Sequence, residues 1–141
     1  MGTEHSDGRD GFPGPYASRL ECRLITIGRI TGLPHDIEMW FGVSGSTIYF
    51  ISGNGPGADW YRNLLAEPRV EIRFDGDARF GIAHDVVEPA ERRLVGEVMG
   101  AKYGGWGGDP SIGLTENDWL WNVPAVGVDR WQMPGQTPSS P

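Results

Sequence analysis

The stretch from Ser52 to Leu65, Ser-Gly-Asn-Gly-Pro-Gly-Ala-Asp-Trp-Tyr-Arg-Asn-Leu-Leu, holds residue types and spacings that could do chemistry. It follows an apolar run, Thr47 to Ile51, that reads as a strand. Gly53, Gly55, Pro56 and Gly57 then break the strand into a loop whose backbone a ligand can approach closely. From Asp59 to Ala66 the pattern is a short helix, with Leu64 one turn beyond Trp60 and Leu65 one turn beyond Tyr61. A strand, a glycine loop and a helix start leave several backbone N–H groups unpaired and pointing outward, an arrangement that favours an anion. A surface turn followed by an amphipathic helix satisfies the same pattern, because an isolated glycine motif is weakly specific.

Other groupings carry less. His35 and His84 fall on different strands without ligand spacing, and neither HxH nor HExxH occurs, so no metal site is expected. Ser44 and Ser52 lie beside glycines but lack the Gly-x-Ser-x-Gly frame of a nucleophile elbow. Asp36 and Glu38 share one face of a strand, as a solvated edge does. Gly104-Gly105-Trp106-Gly107-Gly108 suits either a lid with one aromatic anchor or a loose loop. Tyr103, closing a helix, reads on its own as a packing residue.

The elements that must position these residues are legible as periods. Alternation predicts strands at Glu21–Ile27, His35–Phe41, Thr47–Ile51, Arg69–Phe74, Ala78–Val87 and Val123–Trp131. On the fourth of these Val70, Ile72 and Phe74 point inward. Glycine-bounded segments at 28–34 and 42–46, and Asp75-Gly76-Asp77, read as turns. Helices are expected over Asp59–Ala66 and, from the stripe Leu94, Val95, Val98 and Met99, over Pro89–Ala101. Thr115 reads as the N-cap of a third, ahead of Trp119-Leu120-Trp121. The fold class is therefore mainly β with two or three short helices, a small antiparallel barrel with helical caps. Residues 1–18 and 132–141 are Gly-, Pro- and Ser-rich and are expected to be disordered tails around a domain at 19–131.

The 141 residues suit one domain. A net charge of −7 with dispersed arginines argues against nucleic acid or an anionic membrane as partner. Cys22 is the single cysteine, which excludes an internal disulfide. No secretory pattern opens the sequence and no run approaches the ~20 apolar residues of a membrane span, so a cytoplasmic location is expected. Twenty-two glycines and six tryptophans suit a β-rich domain enclosing a flat ligand, though aromatics also serve as core.

Three segments taken together resemble the deazaflavin-dependent nitroreductase family: Thr26-Ile27-Gly28-Arg29-Ile30-Thr31-Gly32, the Ser52 loop with Asp59-Trp60-Tyr61-Arg62-Asn63-Leu64, and Pro68-Arg69-Val70-Glu71. Order and spacing both match, across about residues 22 to 131. The resemblance implies a six-stranded split β-barrel like that of flavin-binding pyridoxamine phosphate oxidases. It implies binding of the deazaflavin coenzyme F420 and hydride transfer from its reduced form to a quinone, nitroaromatic or other electron-poor small molecule. It places the phosphate-binding turn on Arg29, Thr31 and Gly32, cofactor contacts on Ser52, Trp60 and Asn63, a catalytic tyrosine at Tyr103 and a wall of the substrate pocket at Trp106. These types fit: Arg29 can fork onto a phosphate, Thr31 can donate a hydroxyl, Trp60 can wall a flat ring, and Asn63 can bond the cofactor or the loop backbone.

Three cationic positions of the family are neutral here, at Ile30, His35 and Gly53. A hydrogen bond to a charged group is worth about 1.5–3 kcal/mol, so the loss of two weakens an anion site markedly; Arg62 is a candidate to compensate. Two readings stay open: an oxidoreductase using F420, and a small-molecule binding protein on the same barrel that is cofactor-free or holds FMN. A homodimer is also left open.

Overall fold

In a computed structural model of the chain, residues 11–133 are described. Among them, seven strands form one antiparallel sheet: β1 (Cys22–Ile27), β2 (Pro34–Met39), β3 (Gly42–Ser44), β4 (Thr47–Ile51), β5 (Arg69–Phe74), β6 (Asp77–Asp85) and β7 (Ala125–Gln132), in the order β2-β1-β5-β6-β7-β4-β3. The two ends of this strip, β2 and β3, are separated in the chain only by Trp40 and Phe41, so the sheet curls back on itself as a split barrel. Three helices accompany it: α1 (Asp59–Ala66), α2 (Pro89–Tyr103) and α3 (Glu116–Trp121). None of the helices among the described residues is long and apolar enough to cross a membrane.

The seventh strand has a local cause. The segment 42–46, expected to be all turn, pairs Gly42, Val43 and Ser44 with Tyr49, Ile48 and Thr47, and the reversal is left to Gly45 and Ser46. Gly42 is needed for close approach: a Cβ there would lie 2.6 Å from Val98 and 2.8 Å from Met99 of α2.

Two apolar clusters explain the sequence pattern. Inside the barrel, Leu24, Ile48, Phe50, Val70, Ile72, Phe74, Val126 and Val128 are buried with Trp131. Outside it, Tyr49, Ile51 and Ala125 pack against Val95, Met99 and Tyr103 of α2 and Trp119 and Leu120 of α3. β4 is thus covered on both faces, which is why it reads as a continuous apolar run rather than an alternation. On β6 the buried side is Arg79, Gly81 and Ala83, while Phe80, Ile82 and His84 are half-buried on the other face.

The expected N-terminal tail is corrected where it can be seen. Phe12 is buried edge-to-face against Trp131 at 4.8 Å between ring centroids. Tyr16 stacks on Phe74 at 4.4 Å and donates to Asp77 Oδ2 at 2.7 Å. Composition masked two aromatic anchors among glycines and prolines. The rest of the tail expectations, residues 1–10 and 134–141, lie outside the described residues; β7 itself continues through Gln132.

Candidate functional site

The β1–β2 turn is closed by Gly28 N–H to Leu33 O and Gly32 N–H to Gly28 O, both 2.8 Å, with Gly32 at φ 73°, a left-handed value that glycine adopts without strain. It is bolted to α1 through Asn63. The Asn63 side-chain oxygen accepts from Arg29 N at 3.1 Å and Arg29 Nη1 at 2.8 Å, and its amide donates to Thr26 Oγ1 at 3.4 Å. Asn63 is buried, and its partners are Arg29 of the turn and Thr26 of β1 rather than the backbone of the Ser52 loop. Arg29 Nη2 reaches Asp59 Oδ1 at 3.2 Å, pairing a largely covered guanidinium with an exposed carboxylate at the first residue of α1.

The turn also offers donors. The amides of Ile30 and Thr31 make no hydrogen bond among the described residues, and Thr31 Oγ1 accepts from Leu33 N at 3.2 Å, leaving its proton to donate. Ile30 projects into solvent at 86% exposure. His35 lies across the turn, since a Cβ on Gly28 would meet its Nε2 at 2.6 Å and Thr31 Oγ1 at 2.7 Å.

Ser52 is buried, with N–H to Pro124 O at 2.8 Å and its hydroxyl to Gly55 O at 2.7 Å, so it shapes the loop from within. Gly53 lies against the segment before α3: a Cβ there would be 3.1 Å from the Leu114 side chain, which would have to give by a few tenths of an ångström, and in ordinary contact with Trp119 at 3.4 Å. Trp60 is half-buried on the barrel core, edge-on to Phe50 at 6.2 Å.

Beyond Gly53 lies a cluster that the sequence reading saw only in part. Trp40 stacks on Tyr103 at 4.6 Å with planes 4° apart, and stands edge-on to Trp106 at 5.5 Å and Trp119 at 5.9 Å. Trp106 and Trp119 meet edge-on at 5.3 Å. Tyr103 and Trp106 were singled out from sequence; Trp40 and Trp119 were not. Trp40 is placed by the bend between β2 and β3, which no local period announces. Trp119 carried a signal, as a tryptophan one turn from a capped helix start.

The Tyr103 hydroxyl is held by backbone. It donates toward Leu20 O at 2.7 Å, lies 3.0 Å from Phe41 O, and accepts from Phe41 N at 3.1 Å. Burial pushes this phenol up to about 12. Lys102 beside it donates to Phe41 O at 2.9 Å and lies over the Phe41 ring at 3.6 Å; burial pulls its ammonium down to about 8. One described cavity, of about 330 Å³, lies elsewhere, on the outer wall between Ile25, Ile27 and Phe80 with Arg69, Glu71 and Arg73 at its rim. It touches the site only where Ile27 and Pro34 flank the turn.

The structure is similar over 99% of the chain to that of a conserved hypothetical protein from Mycobacterium tuberculosis, covering 98% of it, at TM-score 0.62 and 23% identity. It is similar to an F420-H2 dependent reductase at TM-score 0.60 and 18% identity, over 79% of this chain and 95% of the other. A Listeria innocua protein named for pyridoxamine 5'-phosphate oxidase shares the fold at TM-score 0.52 and 14% identity, over 83% and 90% of the two chains. At these identities the likeness is one of fold, a split barrel. No curated protein matches by sequence. The model of the F420H(2)-dependent quinone reductase family matches residues 7–110, which span the turn, the Ser52 loop, α1 and the aromatic helix end. With that much of the sequence accounted for, the chain belongs to the F420H(2)-dependent quinone reductase family.

Proposed function

We propose that this protein transfers a hydride from reduced coenzyme F420 to a small electron-poor acceptor, a quinone or a nitroaromatic. The observation that carries this is the Gly28–Gly32 turn docked on α1, with Arg29, the Thr31 hydroxyl and the unpartnered amides of Ile30 and Thr31 gathered on it. Backbone donors and a guanidinium grouped in this way fit a phosphate. The charge there is low, because Asp59 already faces Arg29. The donor set therefore fits the cofactor's phosphate with reduced electrostatic strength.

The reduced deazaflavin, when bound, supplies the hydride. In this reading Arg29, Thr31 and Gly32 would hold the phosphate, with Arg29 fixed by Asn63. Ser52 would fix the loop that contacts the cofactor, and Trp60 braces α1 on the barrel. Trp40, Trp106 and Trp119 exclude water and wall the acceptor, since a flat electron-poor ring is well matched to indole faces. The expected acid role of Tyr103 needs a free hydroxyl. Its hydroxyl is engaged with Leu20 and Phe41, so we assign Tyr103 to holding Trp40 in place.

A binding protein without redox chemistry is the second reading, favoured by the Arg29–Asp59 pair and the exposed Ile30. Titrating the protein with F420 and with FMN, followed by absorbance and fluorescence, separates the two. F420 is expected to bind, and Arg29→Ala to weaken it by about 1.5–3 kcal/mol, the size of a charge-assisted hydrogen bond. Absence of F420 binding to the unaltered protein would falsify the cofactor assignment.

A further inference from the structure

The chain from Gly104 to Gly108 runs past the tryptophan cluster and carries Trp106. Gly105, Gly107 and Gly108 have φ of 94°, 93° and 89°, values that side-chain-bearing residues rarely adopt. This backbone turns two amides toward one point, where the Glu116 carboxylate receives Gly105 N–H on Oε2 at 2.8 Å and Gly107 N–H on Oε1 at 2.7 Å. Backbone N–H groups that converge in this way suit an anion, and here the two on either side of Trp106 receive the chain's own Glu116 carboxylate. The base of the loop is pinned by the mutual bonds of Asp109 and Leu114, N–H to O at 2.8 and 3.0 Å.

Trp106 sits between the two latched amides. Its ring is packed on Trp40 and Trp119, yet its indole Nε1 is buried with no hydrogen-bond partner among the described residues. A buried donor left unpaired is unfavourable, and an oxygen acceptor placed at this indole would satisfy it. A latch outside the ring and an unpaired donor on it are features a gate would use.

We propose that the Gly104–Gly108 loop is a gate over the tryptophan cluster, that Glu116 is the positioning residue that latches it, and that the Trp106 indole N–H pairs with an oxygen of a flat, electron-poor ligand once the latch yields. This rests on the proposed acceptor pocket and adds what controls entry to it. The two amides also hold the Glu116 carboxyl below the usual carboxylate range, consistent with a latch that stays ionised at neutral pH.

The test uses full-length protein, Glu116→Gln, Glu116→Asp and Trp106→Phe, with menadione as the quinone probe. Amide exchange at Gly105 and Gly107 and acrylamide quenching of tryptophan fluorescence report the latch without any cofactor. Glu116→Gln keeps the side chain's size but loses its charge and one acceptor, so exchange is expected to quicken by about tenfold or more. Menadione association, followed by stopped-flow fluorescence, is expected to quicken with it. Glu116→Asp, which retains the charge, is expected to fall between. Trp106→Phe should leave exchange near the unaltered value and weaken menadione by roughly two- to tenfold, the scale of one net hydrogen bond. Unchanged exchange in Glu116→Gln overturns the latch. Loosened amides with unchanged menadione association, or no menadione binding to any of the four proteins, overturn the gate. Gated menadione binding without any F420-dependent turnover supports the gate and counts against the redox reading instead.

Discussion

Asp59 decides how much positive charge the Gly28–Gly32 turn offers an anion. Its side chain is 83% exposed and its partner Arg29 21%, so the pair adds little to stability. It does draw one arm of the guanidinium away from any ligand. Asp59→Asn is therefore expected to leave the thermal midpoint nearly unchanged and to tighten F420 by about tenfold, the scale of one charge-assisted bond, with the gain shrinking as salt is raised. Isothermal titration at two salt concentrations checks this. Tyr103→Phe separates two roles in one variant. Removing the hydroxyl leaves the Leu20 and Phe41 backbone groups without it, a loss of about 1–3 kcal/mol in stability with kcat little altered, whereas removal of a general acid lowers kcat by roughly 100-fold or more. At this scale the order of the segments pointed to Arg29, Thr31, Ser52 and Asn63 as candidates. It did not show that Asn63 and Ser52 turn inward, or that Asp59 reaches Arg29. The contacts of Arg29 with Asn63 and Asp59 join residues 30 or more apart and exist only once the turn docks on α1, whereas Ser52 turns in on Gly55, three residues away.

Strand β4, the central row of β7 and the start of α2 form a second device. Tyr49 and His84 both face Gly127 in register, and Tyr49 Oη and His84 Nε2 each lie 2.8 Å from Glu91 Oε2, which ties the first turns of α2 to the sheet. A methyl on Gly127 would lie 2.6 Å from His84 and 2.9 Å from Tyr49. Gly127→Ala is accordingly expected to cost about 1–3 kcal/mol, as overpacking does, measured as a lower urea midpoint at unchanged slope. The strands themselves were legible because a barrel wall with one covered face imposes a period of two, clearest at Val70, Ile72 and Phe74. The extra strand β3 was hidden because Gly42 looks like turn chemistry, while its real constraint is the approach of α2. The packed Phe12 and Tyr16 were hidden because composition averages over a segment and two aromatics fix it.

Taken as a whole, the molecule keeps its thiol and several phenols out of water. Burial raises Cys22 from 9.0 to about 12, and it raises Tyr103 and Tyr61 from 10.0 to about 12, Asp85 adding to the effect at Tyr61. For each group the folded value lies above the unfolded one, so its contribution to stability is fully present below the unfolded value and is lost as pH rises toward the folded one. Lys102 acts in the opposite sense: its lowered value, about 8 against 10.5, recovers some stability between those limits. Between pH 9 and 10 the gain at Lys102 offsets the loss at Cys22, so stability should hold roughly level there and fall above 10, and Cys22→Ala should turn the level stretch into a rise in denaturant titrations across that range. The same burial predicts that Cys22 resists thiol reagents until the protein is unfolded. Fold and family follow from the whole pattern of elements, whereas the chemistry depends on a phosphate turn whose charge is nearly balanced. The most direct measurement is a single turnover: reduced F420, at a concentration shown by titration to saturate the protein, mixed with menadione and followed by the return of the oxidised deazaflavin's absorbance. The predicted result is oxidation that depends on the protein and slows in Arg29→Ala at low cofactor but not at saturation. Oxidation no faster than in the protein-free mixture, with the site filled, would contradict a hydride-transfer role.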